Sequence, residues 1–380
     1  MTSFIPVYQP ALDGNELKYV EDAVRSSWIS SRGAYIDRFE SDFCHLTGVA
    51  HATTVTNGTV ALHAALLALD IGAGDEVIVP TFTYVASANA IRYVGATPVF
   101  CDLESGYWQM DPASIEAQIT ERTKAIVVVH LYGHPAPMAQ IRAIADKHGL
   151  KIIEDCAEAL GSRIGDQHVG SFGDIATYSF FGNKTITTGE GGMVVSNNAE
   201  LINKVRKIKS QGLSGDREYW HDMVAHNFRM TNVTAAIGCA QLERFSELLD
   251  AKRHLAMKYR RVLRNTPLRF LTEKRGCTNG FWMVAALARS PEELTALRAH
   301  LKEQQIETRP LFPTVHMMPM YGGHKGQFPR AEALSPLGLN LPSWPNLPEE
   351  DFQRICHAIR DFYEKLDRPA EVEELVGSCA

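Results

Sequence analysis

The chain has 380 residues, of which 45% are hydrophobic, so it can bury a large core and form one large domain with a smaller partner. Its formal net charge is -6, and no block of basic residues stands out. The attraction to phosphates that supports nucleic-acid binding is therefore missing, and we expect no nucleic-acid partner.

The cysteines are scattered, odd in number and without CxxC spacing, which argues against a disulfide framework and a structural zinc site. They are Cys44, Cys101, Cys156, Cys239, Cys277, Cys356 and Cys379. We expect reduced thiols and no bound metal. The N-terminus has no basic segment followed by an apolar one, and no run approaches the roughly 20 apolar residues that span a bilayer. These features predict a cytoplasmic protein that does not bind a membrane.

From residue 50 to about residue 200, short β-branched runs alternate with helical patterns. The first pair is "HATTV" and "TVALHAALLALD", and the last strands are "IATYSF" and "GGMVVS". Hydrophobic strands separated by amphipathic helices indicate an α/β fold with a mainly parallel sheet covered on both faces. In such sheets ligands bind at the carboxyl ends of the strands.

The pattern changes in the last third of the chain. The sequence predicts a long helix, a strand at "GFWMVAALA", a helix that begins after Ser290, and a last helix near 349–366. Proline and glycine are frequent between 310 and 346, which predicts a loop without regular elements. We predict a large domain at 1–245 and a smaller α+β domain at 246–380, ending in a frayed acidic tail.

Lys184 follows the predicted strand "IATYSF" by a few residues. It should lie in a loop at an end of the sheet, among small residues that let a ligand approach. Removal from water there would lower the pKa of the amine and make it a nucleophile able to form a Schiff base. The alternative is a loop lysine that caps a carbonyl, and this segment alone leaves both open.

Two acids, Glu154 and Asp155, end the predicted strand "KIIED". A carboxylate at the end of a buried strand must be paired or ligated. The ring nitrogen of pyridoxal phosphate is a suitable partner, because the ring withdraws electrons only while that nitrogen stays protonated. Asp155 could instead be the N-cap of a helix formed by "CAEALGS".

A tight turn of Asn57, Gly58 and Thr59 joins a predicted strand to a helix. Free backbone N–H groups at a helix start suit a phosphate. The segment lacks the GK[ST] of a Walker loop, so ATP-type phosphate binding is disfavoured, and an ordinary capped helix is the alternative.

Two further clusters are weaker. Phe82 and Tyr84 close another strand, where a planar ring could stack, although such aromatics usually belong to the core. Asn227 and Arg229 in "AHNFRMTN" could bind a phosphate or cap the next helix. A phosphate turn, a stacking aromatic, a strand-end acid and a later loop lysine, in that order on one α/β sheet, indicate a pyridoxal phosphate enzyme.

The same segments resemble the nucleotide-sugar aminotransferases of the DegT/StrS family. The resemblance covers nearly the whole chain and is carried by "DEVIVPTFTYVASANAI", "IIEDCAEALGS", "GDIATYSFFGNKTITTGEGGMVVSN" and "HNFRMTNVTAAIGCAQLERF". It implies the aspartate aminotransferase-like fold, called fold type I, with pyridoxal 5'-phosphate as cofactor. It also implies a homodimer with shared active sites, and leaves open whether dimers pair into tetramers.

The resemblance implies roles for single residues. Lys184 would form the Schiff base with the cofactor and then move a proton between the cofactor carbon and the sugar carbon. Asp155 would hold the pyridinium nitrogen, Glu158 would face the phenolic oxygen, and Tyr84 would stack on the ring. The phosphate would be bound by Gly58, Thr59, Ser179 and, from the neighbouring subunit, Asn227.

Two positions depart from the family pattern. Many relatives carry Ser in place of Asn57, and Gln or His in place of Glu158. Neither change removes a donor that the chemistry requires, although Glu158 must share a proton or a water if it faces a phenolate oxygen. Members with His in place of Lys184 are dehydratases, so Lys184 predicts transamination.

Within the family, "SSWISSRGAYIDRFE", "YWHDMVAHNFRMTN" and "HMMPMY" most resemble enzymes that aminate a GDP-sugar. Those enzymes move the amino group of L-glutamate to C4 of GDP-4-keto-6-deoxymannose, which leads to O-antigen and lipopolysaccharide. Residues expected to contact substrate are Trp28, Arg32, Arg309, His316 and Tyr321. Buried aromatics and polar loop residues are the common alternative at such positions.

Three rival functions remain open from the sequence. The first is the same chemistry on a UDP- or dTDP-keto-sugar, at C4 or at C3. The second is an α-amino-acid aminotransferase, in which Arg309 would bind the substrate α-carboxylate with two hydrogen bonds. The third is a non-enzymatic regulator with the same fold, which the intact set of Lys184, Asp155 and Ser179 disfavours.

Overall fold

The computed structural model describes residues 3–367 and has two main sheets. The strands are β1 (His51–Val55), β2 (Glu76–Pro80), β3 (Thr97–Cys101), β4 (Thr123–Val129), β5 (Lys151–Asp155), β6 (Arg163–Ile164), β7 (Gln167–His168), β8 (Ile175–Ser179), β9 (Gly192–Ser196), β10 (Arg269–Phe270), β11 (Cys277–Thr278), β12 (Val284–Leu287), β13 (Arg309–Pro310) and β14 (Gly338–Leu341). The α-helices are α1 (Glu16–Arg25), α2 (Ala34–Thr47), α3 (Gly58–Ala68), α4 (Ala86–Tyr93), α5 (Pro112–Ala117), α6 (Met138–His148), α7 (Ala199–Lys209), α8 (Asn232–Glu243), α9 (Phe245–Val262), α10 (Pro291–Glu303), α11 (Pro329–Leu334) and α12 (Glu349–Asp367).

The central sheet has seven strands in the order β1-β9-β8-β5-β4-β2-β3. Its pairs are parallel except those of β9, which runs antiparallel to both β1 and β8. Every residue of β2 and of β9 is buried, as expected where helices cover both faces of a sheet. The predicted α/β fold with a mainly parallel sheet is therefore confirmed.

The second sheet is antiparallel, in the order β10-β12-β14-β13. Its strand β14 and the helix α11 lie between 310 and 346, so the prediction of a segment without regular elements was wrong. Leu339 and Leu341 on β14 are fully buried between neighbouring strands. The glycines and prolines mark the turns around this four-residue strand. Because they are frequent, the sequence pattern indicated only a loop.

The ends of the helical predictions agree well with the structure. Helix α10 begins after Ser290, whose side-chain oxygen accepts a hydrogen bond from the Glu293 N–H, and Pro291 occupies its first turn. The last helix, predicted at 349–366, is α12. The predicted frayed tail after it lies outside the described residues.

The first residues of the chain pack on the second sheet. Ile5 pairs with Ile306 and lies in one hydrophobic cluster with side chains of α9, α10 and α12. The boundary at residue 245 stays a prediction, and this N-terminal segment crosses it. Within 3–367, no helix has the length and apolar character needed to cross a bilayer.

Candidate active site

A cavity of about 610 Å³ opens at the carboxyl ends of β1, β4, β5 and β8. Parallel strands bring their ends to one edge of the sheet, so residues far apart in sequence meet there. The sequence-predicted residues that line it are Asn57, Gly58, Thr59, Tyr84, Asp155, Glu158, Ser179, Lys184 and Arg309.

Lys184 lies in the turn after β8, where its N–H donates to the Phe181 carbonyl at 2.9 Å. Its Nζ is 4.1 Å from the centroid of the Trp282 ring, and its own carbonyl accepts a hydrogen bond of 2.7 Å from the Tyr8 hydroxyl. Burial lowers the pKa of the Lys184 amine, while Glu158 and Asp155 oppose this change. The amine is thus drawn towards its neutral, nucleophilic form.

Asp155 is the last residue of β5, and its carboxylate is buried. Its Oδ2 accepts a hydrogen bond of 2.7 Å from the Ser87 hydroxyl, and its Oδ1 accepts one of 3.1 Å from the Ala157 N–H. Burial raises the pKa of Asp155, and these hydrogen bonds lower it. The segment "CAEALGS" directly after Asp155 forms turns and no helix, so the helix N-cap alternative is wrong. A protonated ring nitrogen is a fitting partner for this carboxylate.

Glu158 lies three residues further on, in the same wall. One of its carboxyl oxygens, Oε2, accepts a hydrogen bond of 2.7 Å from the Tyr132 N–H. Burial raises the pKa of Glu158 to about 7, although Lys184 opposes the change. A carboxyl group that holds its proton near neutral pH can donate a hydrogen bond to a phenolic oxygen.

The start of α3 lies against the end of β8. Asn57 is the N-cap of α3, and its Oδ1 accepts a hydrogen bond of 2.9 Å from the Val60 N–H. A Cβ added at Gly58 would lie 2.8 Å from the Cβ of Ser179, so this close approach requires glycine. First-turn N–H groups, the Thr59 side chain and the Ser179 hydroxyl border one corner of the cavity, which suits a phosphate.

Glu154, the second acid of "KIIED", points away from the cavity into a polar cluster. Its oxygens accept hydrogen bonds from His130 Nε2 and from three backbone N–H groups, those of Gly170, Phe172 and Gly173. The ligand atoms of His130, Glu154 and Cys156 lie within 4.8 Å of one another. Hydrogen bonds already engage the Glu154 carboxylate, so its burial is explained without a ligand.

Several predicted residues do not line this cavity. Trp28 is 57% exposed, Arg32 is exposed, and Asn227 is an exposed residue whose Oδ1 accepts from Arg229. The Tyr321 hydroxyl donates to Asn89 at 2.6 Å. Their proposed contacts with substrate or with a partner's cofactor stay predictions, because one subunit does not test them.

His316 is placed most clearly outside the cavity. It is 1% exposed, its Nδ1 is 2.5 Å from the Thr81 hydroxyl, and its Nε2 is 3.2 Å from Glu332. These contacts fasten the segment after β13 to the end of β2. His316 does not line the cavity of its own subunit, and its contact with substrate stays a prediction.

The sequence analysis missed several residues of the site, among them two aromatic and two polar residues. Ser87, Trp282, Phe312 and Asn340 all line the cavity. The Trp282 and Phe312 rings are stacked, with centroids 5.9 Å apart. The segment "GFWMV" gave a strand prediction only, and nothing in its pattern separates an aromatic of a cavity wall from one of a core.

Comparison with known proteins identifies the family. The sequence profile of the DegT/DnrJ/EryC1/StrS aminotransferase family matches residues 10–360. The chain belongs to this family. It is 52% identical over 360 residues to a protein named GDP-perosamine synthase from Escherichia coli O157:H7, covering 95% of this chain and 99% of that protein. A protein with the same name from Vibrio cholerae is 48% identical over 363 residues, covering 94% and 99%.

Solved structures agree with this assignment. The fold is similar to that of Spr1654 from Streptococcus pneumoniae in a PLP-form, with a TM-score of 0.91 and 26% identity, covering 96% of this chain and 100% of that chain. The chain is a pyridoxal phosphate-dependent aminotransferase, and the alternative of a non-enzymatic regulator is not favoured. The lysine, the strand-end acid and the anion cradle fit that cofactor, which supplies an aldehyde and an electron-withdrawing ring.

Proposed function

We propose that this chain transfers the amino group of L-glutamate to C4 of GDP-4-keto-6-deoxymannose, giving GDP-perosamine and 2-oxoglutarate. The observation that carries the proposal is a cavity that gathers Lys184, Asp155, Glu158 and a phosphate cradle in one wall. The names of the two relatives, which match over nearly the whole chain, support the choice of substrate.

Each residue of the wall has a defined task in this reaction. Lys184, whose pKa is lowered, would serve as general base and general acid, holding at Nζ the proton that passes between the cofactor carbon and the sugar carbon. Asp155 keeps the cofactor ring nitrogen protonated by holding a negative charge against it. Glu158 offers a proton on the other side of the ring. Gly58 and Ser179 would bind the cofactor phosphate and so hold the ring at a fixed position relative to Lys184.

Arg309 is the proposed binding group for the glutamate donor. It lies on β13, directly across from Asn340 on β14, and both residues line the cavity. Its guanidinium forms an ion pair of 3.3 Å with Glu307 and remains largely exposed, so it is accessible to a carboxylate. A guanidinium binds a carboxylate with two parallel hydrogen bonds, which suits recognition of an amino acid.

The substrate is tested by turnover of purified protein with L-glutamate and one keto-sugar at a time. The panel consists of GDP-, dTDP- and UDP-4-keto-6-deoxyhexoses, with 2-oxoglutarate release as the readout. We expect turnover with the GDP-sugar alone or with a clear preference for it. Turnover on a dTDP- or UDP-sugar with none on the GDP-sugar would overturn the proposal while leaving the aminotransferase assignment intact.

We propose further that the active unit is a homodimer in which Asn227 of each subunit reaches the neighbour's phosphate site. Asn227 is exposed and does not line the cavity of its own subunit. Nearby, Tyr219 is 92% exposed and Val224 is fully exposed, which is typical of a surface that another chain covers. The cytoplasmic location stays a prediction, and the six free cysteines within 3–367 fit a reducing compartment.

Mixing two inactive variants tests the shared site. Lys184→Ala and Asn227→Ala are unfolded together, refolded together and assayed. In a mixed dimer one site combines the intact Lys184 of one subunit with the intact Asn227 of the other, so we expect about a quarter of wild-type activity if pairing is random. A mixture no more active than its separate components would contradict the shared site.

A further inference from the structure

Lys252, on α9, is a charged residue that the reaction described above does not use. It is 2% exposed, and its Nζ donates to the backbone carbonyls of Trp282 at 2.8 Å and Ser343 at 3.4 Å. Within 3–367 no carboxylate pairs with it, and the charge that acts on it is that of Lys184. Burying an ammonium group without an opposite charge is unfavourable, so a simple anchor between helix and loop would be better made from a neutral donor.

Two aromatic residues connect Lys252 with Lys184. The Tyr8 ring centroid is 4.8 Å from the Nζ of Lys252, and the Tyr8 hydroxyl donates to the carbonyl of Lys184 at 2.7 Å. The Trp282 carbonyl accepts from Lys252, while the Trp282 ring lies 4.1 Å from the Nζ of Lys184. Tyr8 and Trp282 therefore each contact both lysines.

Trp282 also holds the backbone next to Lys184. Its indole Nε1 donates to the carbonyl of Asn183 at 2.9 Å, so consecutive carbonyls, those of Asn183 and Lys184, are bound by Trp282 and Tyr8. These two contacts define the position of the turn that carries the amine. Lys252 contacts Tyr8 and Trp282 but does not itself line the cavity.

We propose that Lys252 is a positioning residue for Lys184, and that it fixes Tyr8 and Trp282 so that these rings set the place and surroundings of the reactive amine. This inference rests on Lys184 being the lysine that binds the cofactor. It does not depend on which nucleotide sugar is turned over. Lys252 touches neither the cofactor nor the substrate in this arrangement.

The charge of Lys252 adds an effect of its own. Burial lowers the pKa of Lys252 to about 7, and the positive charge of Lys184 contributes in the same direction. The groups that face it are two carbonyls and the Tyr8 ring, none of which is an anion. A neutral amine still has two N–H donors, so the positioning contacts persist at higher pH, when the charge is lost.

The test compares Lys252→Met, which has the length but no donor, with Lys252→Arg, which keeps donors and charge. Lys209→Met is the matched control. Lys209 is also buried, with 9% of its surface exposed. It donates to the Thr54 carbonyl at 2.8 Å and pairs with Glu40 outside the cavity. Thermal melting of all variants measures the loss of stability that results from replacing any buried lysine.

The first readout uses cofactor-free protein. The rate at which trinitrobenzenesulfonate modifies Lys184 is followed by mass spectrometry between pH 6 and pH 10, and its midpoint gives the apparent pKa of that amine. In Lys252→Met the midpoint should rise by about one unit, because Tyr8 and Trp282 lose their contacts with the lysine and no longer exclude water from Lys184. Lys252→Arg, which keeps the donors and stays charged over this range, should keep the midpoint at or below the wild-type value, and Lys209→Met should not change it.

The second readout uses the holoenzyme. We expect Lys252→Met to lower kcat about tenfold with KM within about twofold, because a displaced base impairs the reaction and not substrate binding. The proposal is overturned if Lys252→Met leaves the Lys184 midpoint unchanged, or if Lys209→Met moves it equally. Tyr8→Phe keeps the ring and removes only the hydroxyl, so it serves if Lys252→Met fails to fold; an unchanged midpoint in that folded variant would also refute the proposal.

Discussion

Glu158 is a buried acid in the wall of the cavity, and its protonation state decides whether it can donate a hydrogen bond to the cofactor. Burial raises its pKa to about 7, so the folded protein keeps the proton up to that pH and loses it above. The proton available to the cofactor's phenolic oxygen therefore disappears as the pH rises through about 7.

Glu158→Gln tests this point because glutamine donates a hydrogen bond without titrating. We expect the wild-type kcat to fall as the pH rises through about 7, and the variant to lack that descending limb. Rates between pH 5.5 and pH 9, with both substrates saturating, give the comparison. A variant profile that keeps the wild-type limb would assign the titration to another group.

Ser87 is a residue that the sequence did not reveal, although it donates to Asp155 at 2.7 Å. Ser87→Ala should raise the pKa of Asp155 further and weaken its hold on the cofactor ring, lowering cofactor affinity about tenfold, as for the loss of a hydrogen bond to a charged group. Equilibrium titration of the apoprotein with pyridoxal phosphate measures this. Ser162→Ala, a buried hydroxyl outside the cavity, should lower stability and leave cofactor affinity unchanged.

Sequence reasoning found Lys184 and Asp155 because one follows a predicted hydrophobic strand and the other ends one, whereas Ser179 was assigned through the family resemblance. It could not find Ser87 or Trp282, whose partners lie 68 and 99 positions away in the chain. Such contacts depend on how α4 and the segment before β12 pack on the sheet. No local pattern encodes that packing.

At the scale of elements, the phosphate corner depends on the distance between α3 and β8. Gly58→Ala should push the helix start away from Ser179, because the added Cβ would lie 2.8 Å from the serine Cβ. We expect cofactor affinity to fall about tenfold or more, since a displacement near 1 Å strongly weakens a set of short hydrogen bonds.

The matched control for this substitution is Gly72→Ala, where the nearest atom to a new Cβ is 3.8 Å away. That variant should bind pyridoxal phosphate like the wild type. Equal losses in both variants would mean that general destabilisation, and not the geometry at Ser179, decides cofactor binding. Unfolding in urea for each variant separates the two effects.

The elements themselves were predictable where one periodicity ran long enough. The strands and helices between β1 and β9 follow the alternation of hydrophobic runs and helical patterns, and α10 follows its Ser290 and Pro291 signals. Strand β14 was missed because four residues between turn signals carry too little pattern. Its place in the middle of the second sheet comes from pairing with β12 and β13.

For the whole molecule, Lys252 makes stability depend on pH in a defined direction. Its pKa is about 7 in the folded protein and near 10.5 when unfolded. Between these values the unfolded chain binds the extra proton, so this group increases stability as the pH rises from 7 towards 10. In cofactor-free protein, the melting temperature of the wild type relative to Lys252→Met should therefore increase over this range. A constant difference between the two would contradict the low pKa.

The N-terminal segment has a consequence for the order in which the site is completed. The backbone N–H of Val7 donates to Glu307, its carbonyl accepts from Ser343, and Tyr8 holds the carbonyl of Lys184. Val7 is synthesised long before Ser343, so its contacts can be complete only after Ser343 has been synthesised. We therefore expect a ribosome-bound chain to acquire its cofactor only after position 343 has been synthesised, which cofactor binding to stalled chains of increasing length would measure.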